Sequence, residues 1–217
     1  MRIPLAKYGL REVLLGGGVL AAGAALGAVW WWPAVPVPLV ALGFLLYFFR
    51  DPERRVPEGP GLVVSPADGV VVEAGETSEP VLLDGPAYKV AIFMSPLAVH
   101  VNRAPCDGRV ERIERRRGRF HHARTDAAAR ENEAVALRLG EVEGRTAVVV
   151  RQVAGAMARR IVCAVREGDR LARGQRFGMI KLGSRLEVFV PLDAGFEPSV
   201  GLGQRVRAGE TVLGRFR

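Results

Sequence analysis

The chain has 217 residues, 49% of them hydrophobic and 25% charged, with a formal net charge of +8. This length allows one membrane segment and one domain with a substantial core, and the positive charge favours an anionic partner, either nucleic acid or a membrane rich in acidic lipid. Aromatic residues are few beyond the N-terminal third, which argues against a base-stacking platform. The three histidines lack zinc-ligand spacing. Cys106 and Cys163 form no motif and are expected to be buried free thiols.

Two apolar runs open the chain. Residues 13–32 carry no charge and, at about 1.5 Å per residue in a helix, are long enough to cross the roughly 30 Å hydrocarbon layer of a membrane. Three tryptophans at positions 30–32 would lie at its interface, and prolines at 33, 36 and 38 are expected to break the helix. Residues 39–49 form a second apolar run, which is short for a full span unless it extends back to Ala34.

Cations flank the outer ends of both runs, with Arg2, Lys7 and Arg11 before the first and arginines at positions 50, 54 and 55 after the second. A cleaved signal peptide is the competing interpretation, because small residues at 21–24 follow a basic start. The positive-inside rule favours a hydrophobic helical hairpin with both ends in the cytoplasm. We therefore predict a membrane-anchoring hairpin over residues 1–50 that holds a domain of residues 51–217 at the cytoplasmic face of the inner membrane.

From Leu62 onward the pattern changes to short apolar runs separated by turns, which predicts a mainly β domain. Residues 134–139 and 146–153 are expected to form a hairpin around residues 140–144. Two segments near the C-terminus, 167–175 and 202–210, share the order Gly, polar, basic, apolar, two spacers, Gly, polar. This repeat predicts a compact β-sandwich with pseudo-symmetry and turns like those of lipoyl carrier domains.

Two other classes of protein share part of this pattern. A membrane-anchored carrier or adaptor with a lipoyl-like domain would use similar turns, although its modified lysine lies at an exposed hairpin tip, whereas Lys181 lies within an apolar run. A basic nucleic-acid binder would use residues 112–119, but that run lacks interleaved aromatic residues and is typical of a solvated face or a lipid-headgroup contact.

The most informative stretch is residues 178–191, which is apolar at every second position on both sides of Gly183 and Ser184. Alternation of this kind predicts a strand. In a straight strand Ser184 would lie on the same inward face as the apolar residues. A buried hydroxyl needs a partner or a chemical task, and glycine permits backbone conformations closed to other residues. The pair is therefore either a β-bulge with a satisfied serine or a strained peptide bond beside a sheltered nucleophile.

Two further polar residues lie in apolar surroundings. Asp68 precedes Gly69 in a Ser-Pro-Ala-Asp-Gly turn, where an Asx turn is the ordinary explanation and activation of Ser184 the functional one. His100 lies between Val99 and Val101, where a structural role is ordinary and proton transfer is the functional alternative.

Residues 178–191 resemble the processing site of the short-type phosphatidylserine decarboxylase proenzymes, which are cleaved between the Gly and the Ser. The resemblance extends from about Phe49 to Pro191. It includes the segments Phe-Arg-Asp-Pro-Glu-Arg at 49–54, Pro-Ala-Asp-Gly at 66–69, Ser-Pro-Leu-Ala-Val-His at 95–100, Val-Ala-Gly at 153–155 and Arg-Arg-Ile-Val-Cys at 159–163.

The resemblance implies a specific mechanism. Ser184 attacks the Gly183 carbonyl, the chain is cleaved between them, and Ser184 becomes a covalent pyruvoyl group. Asp68 takes the processing role, and His100 protonates the carbanion left after decarboxylation. The substrate amine forms a Schiff base with the pyruvoyl ketone, and phosphatidylserine is converted to phosphatidylethanolamine.

One position departs from the longer enzymes of the family. Those enzymes carry a second His three residues after the first, and Arg103 occupies that position here. Either His100 serves both steps or Asp68 acts on Ser184 without a histidine, and Asn102 and Arg103 could hold the carboxylate or phosphate of the substrate. The expected partners are phosphatidylserine in the membrane and the two cleavage fragments of the chain, held together, without nucleic acid or metal. The sequence leaves open whether the chain forms a homo-oligomer.

Overall fold

The computed structural model describes residues 4–79, 81–83, 85–140, 147–156, 160–181 and 183–217. The chain divides into two compact units, Met1–Glu53 and Arg54–Arg217.

The first unit is a helical hairpin of α1 (Leu10–Trp30) and α2 (Pro36–Phe48). Its two ends are joined where the Ala6 N–H donates to the Phe49 carbonyl at 2.7 Å and the Asp51 N–H to the Pro4 carbonyl at 2.7 Å. No residue of α1 is buried, and apolar side chains cover it all round, which suits an apolar solvent better than water.

The apolar runs predict this unit well, with one difference. Residues 7–30 are the one stretch of the described chain that is helical, long and apolar enough to cross a membrane, which is weak evidence of membrane association. Pro36 does not break a helix but begins α2, because the first turn of a helix needs no N–H donor from proline. Arg2 lies outside the described residues.

The second unit is mainly β, as predicted, with one short α-helix among its described residues, α3 (Asp126–Glu131), and a single 3-10 turn at Leu192–Ala194. Its strands are β1 (Leu62–Val64), β2 (Gly69–Glu79), β3 (Gly85–Met94), β4 (Val101–Arg103), β5 (Gly108–Arg116), β6 (Ala134–Gly140), β7 (Val148–Val153), β8 (Ile161–Cys163), β9 (Arg170–Leu171), β10 (Arg176–Ile180), β11 (Ser184–Pro191), β12 (Phe196–Pro198), β13 (Arg205–Val206) and β14 (Val212–Phe216).

These strands form three sheets. The largest has the order β13-β2-β3-β11-β7-β6-β5-β9, and two smaller ones have the orders β4-β10-β8 and β1-β14-β12. The predicted hairpin exists as the antiparallel pair β6 and β7, and its tip at residues 141–146 lies outside the described residues. Strand β11 lies in the middle of the largest sheet, paired with β3 on one side and β7 on the other.

The two faces of β11 differ in chemistry. Leu186, Val188 and Val190 enter the main hydrophobic core with residues of β3, β6 and β7. Successive side chains of a strand point to opposite faces, and the other face carries Arg185 and Glu187. Cys106 is buried and Cys163 half-buried, both as free thiols.

Glu187 is fully buried and lies within an ion-pair network. Its carboxylate accepts from Arg151 at 2.6 Å and Arg185 at 2.8 Å and lies 3.3 Å from Lys89 Nζ. Burial alone would raise the pKa of this carboxyl, but the three cations outweigh it and hold the pKa below its ordinary value.

The repeated segments occupy equivalent places in the fold. Strand β9 lies at one edge of the largest sheet and β13 at the other. Gly168 and Gly174 beside β9 have φ of 94° and 76°, and Gly203 and Gly209 beside β13 have φ of 83° and 74°. Each repeat therefore needs glycine at both ends of its short strand. The likeness to lipoyl carrier turns stays a prediction.

Candidate active site

The Gly183–Ser184 pair lies at a corner between two sheets and not within one continuous strand. Strand β10 ends at Ile180, and β11 begins at Ser184 in a different sheet. Gly183 has a φ of 60°, in the left-handed region that glycine occupies at little cost. The prediction that the Gly-Ser pair lies inside one apolar strand is wrong, because Gly183 lies outside both strands and Ser184 is the first residue of β11. Leu182 lies outside the described residues.

The Ser184 hydroxyl is enclosed by protein. The residue has no solvent exposure, and its Oγ donates to the Met94 sulfur at 3.4 Å. Met94 is the residue directly opposite Ser184 on β3. Because a thioether is a weak acceptor, this contact positions the hydroxyl without holding its proton strongly.

The Gly183 carbonyl lies directly against the backbone of Gly155. A Cβ atom on Gly155 would lie 1.9 Å from the Gly183 oxygen and 3.0 Å from its carbonyl carbon. Such distances are far below van der Waals contact, so only glycine at position 155 allows the carbonyl its present place. Gly155 thus sets the position of the atom that a Ser184 nucleophile would attack.

A buried amide pair approaches Ser184 through Met94. Gln152 on β7 donates from Nε2 to Asn102 Oδ1 at 2.8 Å, and Asn102 Nδ2 lies 3.7 Å from the Met94 sulfur. Asn102 and Gln152 have no solvent exposure. Within the described residues Gln152 Oε1 has no hydrogen-bond partner. Asn102 and Ser184 therefore contact the same sulfur atom, so Asn102 belongs to the surroundings of Ser184.

His100 lies at the same corner. Its carbonyl accepts from the Ile180 N–H at 3.3 Å, and its side chain is fully buried. Only three residues separate Ile180 from Ser184, which limits the Cα distance between those two to roughly 14 Å. The fold thus brings His100 into the neighbourhood of Ser184, although 84 positions separate them along the chain.

Asp68 lies at the end of β2, two strands away from β11. Its Oδ2 accepts from Arg54 Nη2 at 2.8 Å, and its Oδ1 accepts from the Ala208 N–H at 2.8 Å. Neighbouring strands lie about 4.8 Å apart, so the two strands are separated by about 10 Å. Both carboxylate oxygens thus have structural partners, and the processing role of Asp68 stays a prediction.

Arg103 points away from Asn102 into a turn of the fold. It is 4% exposed, and its Nη1 donates to the Gly174 carbonyl at 3.0 Å. Gly174 is one of the repeat glycines, so Arg103 ties β4 to that turn. A substrate-binding role for Arg103 and Asn102 stays a prediction.

Sequence reasoning missed three residues of this site as functional candidates: Met94, Gln152 and Gly155. Met94 and Gln152 lie in ordinary strand patterns, and only their pairing across β11 brings them to Ser184. Gly155 belongs to the Val-Ala-Gly segment at 153–155, which the sequence analysis cited for its family resemblance without giving Gly155 a role. The signal that could have found it is a glycine directly after a buried strand, where close backbone approach is common.

A small cavity opens beside the Gly183 carbonyl. Its volume is about 70 Å³, and its lining residues are Phe93, Pro96, His122, Ala123, Ala156 and Gly183. The cavity borders the pair at Gly183, on the side of β3 that carries Phe93, whereas Met94 and the Ser184 hydroxyl lie on the other side.

The fold and the site define a mainly β protein with a buried serine hydroxyl beside a left-handed glycine. Comparison with known proteins gives the family: the family model described as phosphatidylserine decarboxylase matches residues 41–214. The chain is 44% identical to a phosphatidylserine decarboxylase proenzyme of Rhodopirellula baltica, over 99% of this chain and 89% of that protein. It is 48% identical to one of Syntrophus aciditrophicus, over 85% of each chain. The chain belongs to the phosphatidylserine decarboxylase family.

Proposed function

We propose that this chain decarboxylates phosphatidylserine to phosphatidylethanolamine after cleaving itself between Gly183 and Ser184. The observation that carries the proposal is the corner itself: a buried serine hydroxyl that donates to a thioether, next to a left-handed glycine whose carbonyl lies against Gly155. Membership of the family and the proenzyme names of the relatives support it.

Self-cleavage starts with attack of Ser184 Oγ on the Gly183 carbonyl carbon. The Gly183–Ser184 amide becomes an ester as the acyl group moves from nitrogen to oxygen, and a base takes the hydroxyl proton. Loss of the Ser184 α-proton then breaks the Cβ–O bond, which releases a chain that ends in the Gly183 carboxylate. Water hydrolyses the remaining dehydroalanine, ammonia leaves, and residue 184 becomes a pyruvoyl group.

The surroundings of Ser184 suit this conversion. Burial excludes bulk water from the ester, and Gly183 and Gly155 allow the carbonyl to lie where the hydroxyl can reach it. Asp68 and His100 are the candidate bases. A pyruvoyl group at residue 184 would supply an electrophilic ketone, which can accept the substrate amine and the electron pair released with carbon dioxide.

The chain's own residues would supply the proton transfer and the orientation. His100, buried at the corner, is the proposed donor of a proton to the carbon that loses carbon dioxide. Asn102, oriented by Gln152, presents its amide toward Met94 and residue 184, where it can donate to an anionic group of the substrate.

The sheet would hold the two cleavage products together. The product that begins at residue 184 contributes β11 to the centre of the largest sheet, β13 to its edge, and β12 and β14 to another sheet. Backbone hydrogen bonds and core side chains on both sides of β11 would then resist dissociation.

Mass spectrometry under denaturing conditions tests self-cleavage. The purified protein should give two chains, residues 1–183 and 184–217, and the second should resist Edman degradation because a pyruvoyl terminus has no amine. Both should elute together under native conditions, and the Ser184→Ala control should remain one chain. A fully active preparation that consists of one intact chain would falsify the proposal.

We also propose that the helical hairpin holds the second unit at the cytoplasmic face of the inner membrane. The support is the apolar surface of α1, with cations beyond the outer ends of both apolar runs. Protease added outside intact cells should leave the second unit whole, and its digestion there would show the opposite orientation.

A further inference from the structure

We propose that Arg124, assisted by His122, binds the phosphodiester of the substrate headgroup at the mouth of the cavity beside Gly183. This inference rests on the proposed function, because it names the residues that would select a phosphate-bearing substrate for that site. His122 lines the cavity together with Phe93 and Gly183. The sequence analysis singled out neither residue.

Phe93 holds both side chains at this mouth. The Arg124 guanidinium carbon lies 4.5 Å from the centroid of the Phe93 ring, and the His122 ring stacks on the same ring with a centroid distance of 6.0 Å. Phe93 pairs with Arg185 on β11, one residue from Ser184. The aromatic ring therefore places a cation and an imidazole next to the strand that begins with the reactive residue.

The backbone around these residues is anchored on the site. The His122 carbonyl accepts from the Thr125 N–H at 3.0 Å and from Thr125 Oγ1 at 2.9 Å, which closes the turn that carries Arg124. Buried Asn132 donates to the carbonyls of His121 at 2.9 Å and Ala154 at 2.8 Å. Since Ala154 adjoins Gly155, this basic turn is tied to the residue that positions the Gly183 carbonyl.

Solvent exposure distinguishes Arg124 from the other candidate, Arg103. Arg103 is buried and donates to the carbonyl of Gly174, whereas Arg124 is exposed, and no carboxylate of the described residues pairs with it. Arginine presents a planar fork of donors that matches phosphate oxygens. Arg124 is therefore available to a ligand at low desolvation cost.

The chemistry of the substrate selects its phosphodiester over its carboxylate as the partner of Arg124. The carboxylate loses its charge when carbon dioxide leaves, so a cation paired with it would stabilise the ground state more than the transition state and slow the reaction. The phosphodiester keeps its charge throughout. A cation paired with it contributes uniform binding, which lowers KM and leaves kcat unchanged.

The test compares Arg124→Gln, Arg124→Lys and His122→Ala with Arg112→Ala, a control that removes an exposed cation from β5. Steady-state kinetics use phosphatidylserine in neutral detergent micelles, and the same preparations are assayed for self-cleavage and thermal unfolding. We expect Arg124→Gln to raise KM about ten-fold with kcat within two-fold. His122→Ala should have a smaller effect, and Arg124→Lys should retain most of the affinity. The control should match the wild type, and all four variants should mature normally.

A second readout is independent of turnover. Binding of sn-glycerol 3-phosphate, which has no amine and no carboxylate, is measured by calorimetry on the uncleaved Ser184→Ala chain with and without Arg124→Gln, and serine is the phosphate-free probe. The inference requires that Arg124→Gln weaken glycerol phosphate binding about ten-fold and leave serine binding unchanged. Unchanged KM and unchanged glycerol phosphate binding in Arg124→Gln would overturn it, and so would an equal effect of Arg112→Ala. Failure of the wild type to decarboxylate phosphatidylserine would instead refute the proposed function.

Discussion

Replacement of Gly155 by alanine tests whether the position of the Gly183 carbonyl controls self-cleavage. The new Cβ would lie 1.9 Å from the Gly183 oxygen, and ordinary contact begins at 3.4 Å, so the carbonyl must move by about 1.5 Å. Because a misplacement of about 1 Å in a reacting group can lower a rate about 10²-fold, we expect self-cleavage to slow by about 100-fold or more. Overpacking should also cost about 1–3 kcal/mol of folding stability.

The assay is a time course of cleavage on denaturing gels, started from freshly synthesised chain, with thermal unfolding of the accumulated precursor measured in parallel. Gly75→Ala is the matched control, since a Cβ on Gly75 would meet no atom within 4 Å. The reasoning is refuted if folded Gly155→Ala cleaves as fast as the wild type. Limited proteolysis of the accumulated precursor distinguishes a folded variant from an unfolded one, and only the cleavage rate of folded chain counts in the comparison.

The remaining predictions concern Asp68, His100 and Glu187. Asp68→Asn should accumulate uncleaved precursor and His100→Ala should cleave at least partly yet lose most carbon dioxide release, because general acid-base help is typically worth about 10²–10⁴-fold. Gels and carbon dioxide release on the same preparations decide this, and the opposite pattern would make His100 the processing base. Glu187→Gln should lose about 3 kcal/mol of unfolding free energy at pH 7, because Lys89, Arg151 and Arg185 lose the buried carboxylate they share, although they keep Glu73 and Glu79 as partners. The depressed pKa of Glu187 in the folded state stabilises the wild type above the ordinary carboxyl pKa, and this stability is lost as pH falls through the depressed value. Urea unfolding should therefore show a smaller difference in unfolding free energy between variant and wild type at acidic pH than at pH 7. An equal difference at both pH values would contradict the stabilising role of the Glu187 carboxylate.

The sequence by itself determined features that depend on neighbouring residues. The alternation of Leu186, Val188 and Val190 specified which face of β11 enters the core, because side chains of a strand alternate whatever the rest of the fold does. The paired glycines of the C-terminal repeat predicted two similar units, and each glycine has the left-handed φ that excludes most other residues. The apolar run before residue 33 specified α1 by its length and composition alone.

Only the tertiary structure decided how the site is assembled. Alternation reports burial and not continuity, so it could not show that the chain turns between β10 and β11 and passes from one sheet to another at Gly183. Met94 contacts Ser184, Gly155 lies against Gly183, and Gln152 contacts Asn102. These contacts join distant parts of the chain, which no local pattern encodes. The sequence does not distinguish the arginines at 103 and 124, yet packing buries the first against a turn carbonyl and leaves the second exposed over the Phe93 ring. The environment of a side chain is a property of the packed sheet and not of the residue type.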